Sequence, residues 1–202
     1  MIALIDYGAG NVRSVEKALH AVGAEVTVTQ DPAVVRAAEK VVLPGVGAFA
    51  DCMAALRRLE MIAPIAAAAA RGAPFLGICV GMQVLFEEGA EMGVHPGLGL
   101  LPGRVARFDL PAAFKVPHTG WNQLRPMRKS ALFADLPAGS WAYFNHSFYC
   151  AARPEETIAV ADYGGDFPCA VQRGNLYGIQ FHPEKSQDVG LHILRNFVEK
   201  SS

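Results

Sequence analysis

The sequence lacks a strong excess of either charge. Its 202 residues include 18 Lys and Arg and 19 Asp and Glu, a formal net charge of -1. Such a balance provides no basic field for nucleic acid or for an anionic membrane. Hydrophobic residues make up 51% of the chain, which is typical of a globular protein with a well-filled core. We therefore predict one globular domain spanning residues 1–202.

Long apolar runs are also missing. Asp6 interrupts the apolar start Ile2–Ile5, so the start does not resemble a secretory leader. The Ala-rich stretch Met61–Ala70 is far shorter than the ~20 residues that span a bilayer. We expect a soluble, cytoplasmic protein.

The cysteines do not form a metal-binding or redox pattern. None of the four belongs to a C-x-x-C pair, which disfavours zinc and thioredoxin-type sites. Without a secretory signal, a disulfide framework is not expected either. We expect no metal and no cofactor. The four are Cys52, Cys79, Cys150 and Cys169.

The first part of the chain alternates between strand-like and helix-like patterns. This alternation predicts βαβ units and a mostly parallel sheet, an α/β fold of flavodoxin-like or Rossmann-like type with helices on both faces. Asp31 and Pro32 have the residue types of a helix N-cap and first turn. The predicted strands are Ile2–Ile5, Ala24–Thr29, Val41–Leu43 and Ala73–Ile78, and the predicted helices are Asn11–Val22, a short one from Asp31, and Phe49–Ala70 divided at Pro64.

From Gly103 the helical periodicity fades, and short strand-like runs replace it until Gln187. These runs predict antiparallel additions to the same sheet in the C-terminal half, closed by a helix over Val189–Glu199. The runs are Arg104–Phe108, Lys115–Val116, Trp141–Phe144, Thr157–Ala161, Ala170–Gln172 and Leu176–Phe181.

Cys79 is at the centre of the motif Gly77-Ile78-Cys79-Val80-Gly81. A predicted strand precedes this motif and a helix-like segment, Met82–Glu87, follows it, which is the layout of a nucleophile elbow. A cysteine at the start of a helix is favoured as thiolate. Taken alone, a buried structural cysteine explains the motif about equally well.

The sequence His182-Pro183-Glu184 supplies the other two parts of a triad. His182 ends a strand-like run, and the carboxylate of Glu184 can bond the imidazole nitrogen that faces away from the thiol. The alternative for Glu184, which the motif disfavours, is a solvated loop carboxylate. His118 and His146 are also notable because both lie among aromatic and small residues that could line a cleft.

The glycine-rich segment Pro44-Gly45-Val46-Gly47 follows a predicted strand. It lacks the Lys-Ser/Thr of a phosphate-binding P-loop. Together with the N–H of Val80 it could form the oxyanion hole that an elbow enzyme needs, with Gly45, Val46 and Gly47 supplying the second donor. An ordinary turn is the alternative.

These motifs together resemble the class I, or triad, glutamine amidotransferases. The finer resemblance is to the branch of glutaminase subunits that serve imidazole glycerol phosphate synthase, and it covers essentially the whole chain. The segments that carry it are Ile5–Asn11, Leu43–Phe49, Gly77–Gln83, Val116–Asn122 and Gln180–Ser186.

The resemblance implies a division of labour between two subunits. Family members hydrolyse L-glutamine to glutamate and ammonia through a Cys-His-Glu triad. The ammonia passes to a separate (βα)8-barrel synthase (cyclase) subunit, the heterodimer partner, in histidine biosynthesis. By the same resemblance, Gln83, Ser147 and Phe148 contact the substrate, and the residues at or near the partner interface are Asn11, Trp121, Tyr143 and Lys185.

Two other functions remain open from the sequence. The chain could serve a different synthase, such as one making anthranilate, GMP or pyridoxal phosphate, although the Asp6–Asn11 and Val116–Asn122 segments argue against this. It could also be a flavodoxin-like binding or regulatory protein without catalysis, although Cys79, His182 and Glu184 together argue against that.

Overall fold

The computed structural model describes residues 1–201, which form strands β1–β14 and helices α1–α6 in chain order. None of these helices is long and apolar enough to cross a membrane. The strands are Ile2–Ile5, Val26–Thr29, Lys40–Leu43, Phe75–Ile78, Phe86–Gly89, His95–Pro96, Leu101–Arg107, His118–Gln123, Arg125–Pro126, Trp141–His146, Phe148–Ala151, Thr157–Asp162, Asp166–Arg173 and Leu176–Ile179. The helices are Val12–Ala21, Pro32–Ala37, Phe49–Arg58, Ile62–Ala70, Val80–Gln83 and Gln187–Lys200.

An eight-stranded sheet forms the centre of the molecule, in the order β2-β1-β3-β4-β14-β13-β12-β9. The five strands from β2 to β14 are parallel, and the last three add in antiparallel fashion. Because β2 and β3 lie on opposite sides of β1, right-handed crossovers place α1 and α2 on opposite faces. The packing agrees, since α1 contacts α6 whereas α2 contacts α4. The predicted fold class is confirmed.

The second half of the chain is more divided than predicted. The strands over Thr157–Asp162, Asp166–Arg173 and Leu176–Ile179 do join the central sheet. Two other predicted additions do not, because β7 lies in a four-stranded sheet (β11-β7-β5-β6) and β10 pairs only with β8. The prediction of a single sheet was therefore wrong for Arg104–Phe108 and Trp141–Phe144.

The helix expected over Met82–Glu87 ends early. Helix α5 stops at Gln83, and Phe86–Gly89 forms β5, which pairs with β6 and β7. Gly89 lies flat against the ring of Phe49, where a Cβ would be 2.6 Å from the nearest ring carbon. Strand pairing and this close packing outweigh the local helical pattern.

Proline explains two further corrections. The break in Phe49–Ala70 falls at residues 59–61 rather than at Pro64, which lies in the first turn of α4. A proline in a first turn costs nothing, because its missing N–H would have no partner there. Lys115–Val116 is not a strand, and Pro117 after it has no N–H to give to a ladder. The cap at Asp31 is confirmed, since its carboxylate accepts a hydrogen bond from the N–H of Ala33.

The two ends of the described chain meet at the start of β3. The Lys40 ammonium donates hydrogen bonds to the carbonyl oxygens of Phe197 and Ser201. The N-terminal ammonium of Met1 pairs with the carboxylate of Glu39 at 2.7 Å. These contacts attach the C-terminal end of α6 to the edge of the sheet where the parallel strands begin.

Candidate active site

Cys79 lies on a strained turn between β4 and α5. Its φ of 55° and ψ of -112° are unusual for a residue with a side chain and cost about 1–3 kcal/mol. The N–H of Cys79 donates to the carbonyl oxygen of Ile179 at 2.8 Å, which joins the turn to β14. The predicted elbow geometry is thus present. However, α5 has only one turn, so its dipole contributes little to stabilising a thiolate.

Close backbone packing explains the glycines around the elbow. A Cβ on Gly81 would lie 1.9 Å from the carbonyl oxygen of Leu43, and one on Gly77 would lie 2.5 Å from that of Gly81. A Cβ on Gly45 would lie 2.3 Å from the N–H nitrogen of Gly81. The absence of side chains therefore lets the β3–α3 loop lie directly against the elbow.

His182 and Glu184 form a buried pair beside Cys79. The imidazole Nδ1 lies 3.0 Å from Glu184 Oε1, and the two side chains are 4% and 1% exposed. Asn11 Nδ2 donates to the same Oε1 at 3.1 Å. Cys79 is close enough to His182 to influence its pKa, and the two side chains line the same cavity. The three predicted triad residues are therefore adjacent in the fold.

The pair shifts the pKa of both groups toward their charged forms. Burial alone lowers the pKa of His182, but its hydrogen bonds and charge interactions with Cys79 and Glu184 outweigh burial and raise it to about 10. For Glu184 the signs are opposite, because burial raises the pKa of a carboxyl group. The hydrogen bond from His182 outweighs burial, so the pKa of Glu184 is lowered overall. The arrangement supports an imidazolium held by a carboxylate.

A cavity of about 260 Å³ opens above Cys79 and His182. Most of the other predicted site residues form part of its wall, together with Lys185 from the predicted interface. Glu184 and Gly45 lie outside the lining, the first behind His182 and the second against Val80. The remaining lining residues are Val46, Gly47, Val80, Gln83, Glu91, Pro117, Asn145, His146, Ser147, Phe148 and Lys185.

Gln83 connects two sides of this cavity. Its Nε2 donates to the carbonyl oxygen of Phe148 at 3.1 Å and to Gln180 Oε1 at 3.2 Å. The Nε2 of Gln180 lies 3.6 Å from Cys79 Sγ. A line of amide contacts therefore runs from the thiol to the Ser147–Phe148 segment.

Three features of the site were missed by sequence reasoning. Glu91 is the only acidic residue on the cavity wall within the described part of the chain, and its Oε2 accepts a hydrogen bond from the N–H of Phe49. Glu91 lies two residues after β5, a strand that the sequence did not predict. The contact of Asn11 with Glu184 joins distant parts of the chain and left no local signal. Gln180 lies next to the His182 motif and could have been included.

Three of the four predicted interface residues lie close together, and Asn11 lies apart from them at the triad. The rings of Trp121 and Tyr143 are 6.2 Å apart, and the Lys185 ammonium is 5.6 Å from the Tyr143 ring. Trp121 is 45% exposed, which is high for so large an apolar side chain. Asn11 is half-buried and is occupied by its bond to Glu184.

Comparison with known proteins gives a consistent result. Residues 3–201 match the family model for class-I glutamine amidotransferases. The chain is 53% identical over 199 residues to the imidazole glycerol phosphate synthase subunit HisH of Moorella thermoacetica, covering 98% of this chain and 94% of that protein. It is 50% identical to the subunit of the same name from Salinibacter ruber, again covering 98% and 94%.

Solved structures show the same fold at lower identity. A crystal structure of a glutamine amidotransferase superposes with a TM-score of 0.77 at 20% identity, covering 100% of this chain and 99% of that one. The structure of PurLQS from Thermotoga maritima gives a TM-score of 0.76 at 20% identity, covering 100% and 98%. These two likenesses concern the fold alone.

Proposed function

Because the chain belongs to the class-I glutamine amidotransferase family, we propose that it is the glutaminase subunit of an imidazole glycerol phosphate synthase. The observation that carries the chemistry is the adjacency of Cys79, His182 and Glu184 at one cavity. The whole chain, residues 1–202, acts as one amidotransferase domain, which the match over residues 3–201 supports.

The reaction begins with proton transfer from Cys79 to His182. The thiolate attacks the side-chain carboxamide carbon of glutamine, and the carbonyl oxygen becomes an oxyanion. His182, now protonated and held by Glu184, gives its proton to the leaving nitrogen, so that ammonia departs and a γ-glutamyl thioester remains. A water molecule, deprotonated by His182, then releases glutamate and restores the thiol.

Backbone N–H groups stabilise the oxyanion. Val80 directly follows the nucleophile, and the Gly45–Gly47 loop is packed against the elbow. Each such donor contributes about 10²–10³ in rate in comparable enzymes. Val46 and Gly47 line the cavity, which supports a donor from this loop.

The two charged ends of glutamine find complementary groups on the cavity wall. Glu91 is a carboxylate suited to the α-ammonium group. The Ser147–Phe148 backbone can donate to the α-carboxylate, and Gln83 lies beside it. We therefore add Glu91 to the proposed substrate-binding residues Gln83, Ser147 and Phe148.

The ammonia serves a separate (βα)8-barrel cyclase subunit. Trp121, Tyr143 and Lys185 supply an exposed aromatic and cationic surface for this heterodimer, and Asn11 lies behind it at the triad. Transfer through a closed path keeps ammonia unprotonated and nucleophilic. A biosynthetic role in making imidazole glycerol phosphate agrees with a cytoplasmic location.

A glutaminase for a different synthase is the closest alternative. One solved structure with the same fold is described as a putative GMP synthase protein from Thermoplasma acidophilum, but the identity is only 21%. The relatives at 50–53% identity all carry the imidazole glycerol phosphate synthase name. These more similar relatives favour a role in histidine biosynthesis over one in GMP synthesis.

The test is glutamate release from glutamine by the purified chain, alone and with a barrel cyclase subunit carrying its ribonucleotide ligand. We expect very low turnover alone and strong stimulation in the liganded complex, because the Gly45–Gly47 loop must adopt the donor orientation. Brisk turnover by the chain alone would contradict this coupling. No turnover in either case would favour a different synthase.

Cys79→Ala is the matched variant for that test. We expect loss of glutaminase activity with fold and partner binding retained, since Cys79 supplies the nucleophile and its replacement is small. Circular dichroism and co-elution with the cyclase check the second part. Loss of the complex would mean that Cys79 is structural.

A further inference from the structure

His118 and His146 form a second buried histidine pair outside the triad. They are 3% and 5% exposed, and their nearest ring nitrogens are 3.0 Å apart. His118 stacks on Tyr163 with ring centroids 4.0 Å apart, and His146 packs against Phe108 at 5.2 Å. The proposed reaction gives this pair no role, although His146 reaches the cavity wall.

The hydrogen bonds around the pair fix both tautomers. The amide of Asn122 is oriented by two contacts, since its Nδ2 donates to the carbonyl of Asp162 and its Oδ1 accepts from the N–H of Gln123, both at 2.8 Å. The same Nδ2 therefore donates to His118 Nε2 at 3.3 Å. His118 must then donate from Nδ1 to His146 Nε2, and His146 from Nδ1 to the carbonyl of Phe148 at 2.8 Å.

Both rings are held neutral. Burial lowers the pKa of His118 to about 4. Burial lowers the pKa of His146 to about 3, against the opposing hydrogen bond to the Phe148 carbonyl, and the nearby positive charge of His182 lowers it further. A neutral ring can accept at one nitrogen and donate at the other, as this chain of contacts requires.

The end of the chain of contacts is the segment proposed to hold the amino-acid end of glutamine. The N–H of Phe108, the residue that follows β7, donates to the carbonyl of Ser147 at 3.1 Å. In an extended strand, alternate residues point their backbone groups to opposite sides, so the N–H and C=O of Phe148 both face away from β7. The Phe148 oxygen accepts hydrogen bonds from Gln83 and His146, so both of its lone pairs are used. The N–H of Phe148 therefore remains as the group that can bind a ligand on that side.

We propose that His118 and His146 form a neutral hydrogen-bond relay, oriented by Asn122, that positions the Ser147–Phe148 backbone to bind the amino-acid end of the substrate. Both are positioning residues, since they act through the Phe148 carbonyl. The proposal rests on the proposed glutaminase function. It links substrate binding to β8, the strand that also carries Trp121.

The first experiment compares two thiol reagents on Cys79. The electrophile 6-diazo-5-oxo-norleucine carries the amino and carboxyl groups of glutamine, whereas iodoacetamide carries neither. In His146→Phe, we expect the concentration for half-maximal labelling by the glutamine analogue to rise about tenfold. The iodoacetamide rate should stay at the wild-type value. His146→Asn, whose Nδ2 can replace the Nδ1 donor, should recover most of the loss, and His20→Asn on the surface is the control.

The outcomes separate the two proposals. If glutamine does not protect the wild-type thiol from the analogue, the proposed function itself fails. If it does protect, and His146→Phe labels like wild type with both reagents, the relay is overturned while the function stands. Equal slowing with both reagents would indicate a general structural effect and would also overturn the relay.

The second experiment reads the tautomers in the unmodified protein. Nitrogen-15 spectra of the imidazole rings should show both His118 and His146 as neutral Nδ1–H tautomers from pH 5.5 to 8. Free histidine prefers Nε2–H, so this signature is specific to the proposed contacts. An Nε2–H tautomer at either ring would overturn the proposal, even if a variant failed to fold.

Discussion

At the scale of single residues, Glu184 is one of the two groups, with Cys79, that raise the pKa of His182. Its Oε1 is shared by His182 and Asn11, and its Oε2 is buried without a hydrogen-bond partner among the described residues. A carboxylate in this position stabilises imidazolium strongly, because little water competes with it. Asn11 fixes the carboxylate but adds no charge.

Replacing Glu184 by Gln should therefore change the pH profile of glutamine turnover in the complex. With the native pKa of His182 at about 10, we expect the alkaline limb of kcat/KM to lie near that value. Glu184→Gln removes the charge, so the limb should move down by at least about one pH unit, with a lower maximal rate. Asn11→Ala should move it less. An unchanged limb in Glu184→Gln would assign it to another group.

At the scale of elements, the strained turn at Cys79 depends on what is packed against it. The β3–α3 loop and the first turn of α5 approach so closely that their contact is backbone against backbone. Neighbouring strands β3 and β14 hold β4 in place on both sides. The turn keeps its unfavourable dihedral angles because these contacts leave it no alternative.

A methyl group at Gly81 should therefore destabilise the fold as well as the site. Gly81→Ala places a Cβ 1.9 Å from the Leu43 carbonyl, and we expect a loss of about 3 kcal/mol or more in the free energy of unfolding. Gly174→Ala is the control, because its φ of 55° is strained but its surroundings are open. That variant should lose only about 1–2 kcal/mol. Equal losses in urea titrations would show that crowding at Gly81 is unimportant.

The difference between local sequence patterns and long-range packing explains which elements the sequence could predict. The strands and helices up to Ile78 have local periodicity, and the structure contains them with small shifts at their ends. The triad was visible because each part is a contiguous motif. The separate sheets around β5, β7, β8 and β10 were not, because strand pairing depends on distant partners. Glu91 and the Asn11–Glu184 contact were missed for the same reason.

At the scale of the whole molecule, buried histidines make stability depend on pH in both directions. The folded pKa values of His118 and His146 lie below the unfolded value of 6.5, so their contribution is complete above that pH and is lost as pH falls toward about 4 and 3. His182 has the opposite sign. Its raised pKa stabilises the fold below 6.5, and this contribution is lost as pH rises toward about 10.

We therefore expect the free energy of unfolding to be greatest near neutral pH. On the acid side, each neutral histidine contributes a slope of up to about 1.4 kcal/mol per pH unit. Urea titrations at pH 7 and pH 5 should show this loss, and His146→Phe should reduce the slope. The surface variant His20→Asn should leave it unchanged. If the free energy of unfolding of His146→Phe falls with pH as steeply as that of the wild type, the groups that titrate are not this histidine pair.

The meeting of the chain ends at Lys40 has a practical consequence for handling the protein. The parallel strands β1 and β3 begin at that edge of the sheet, whereas Cys79 follows the C-terminal end of β4 at the opposite edge. An affinity tag or surface tether attached near Met1 or Ser201 would therefore emerge on the side away from the catalytic cavity. A chain immobilised in this way should keep both its thiol and its Trp121 surface open, so cyclase capture and glutamine turnover could be measured on the same support.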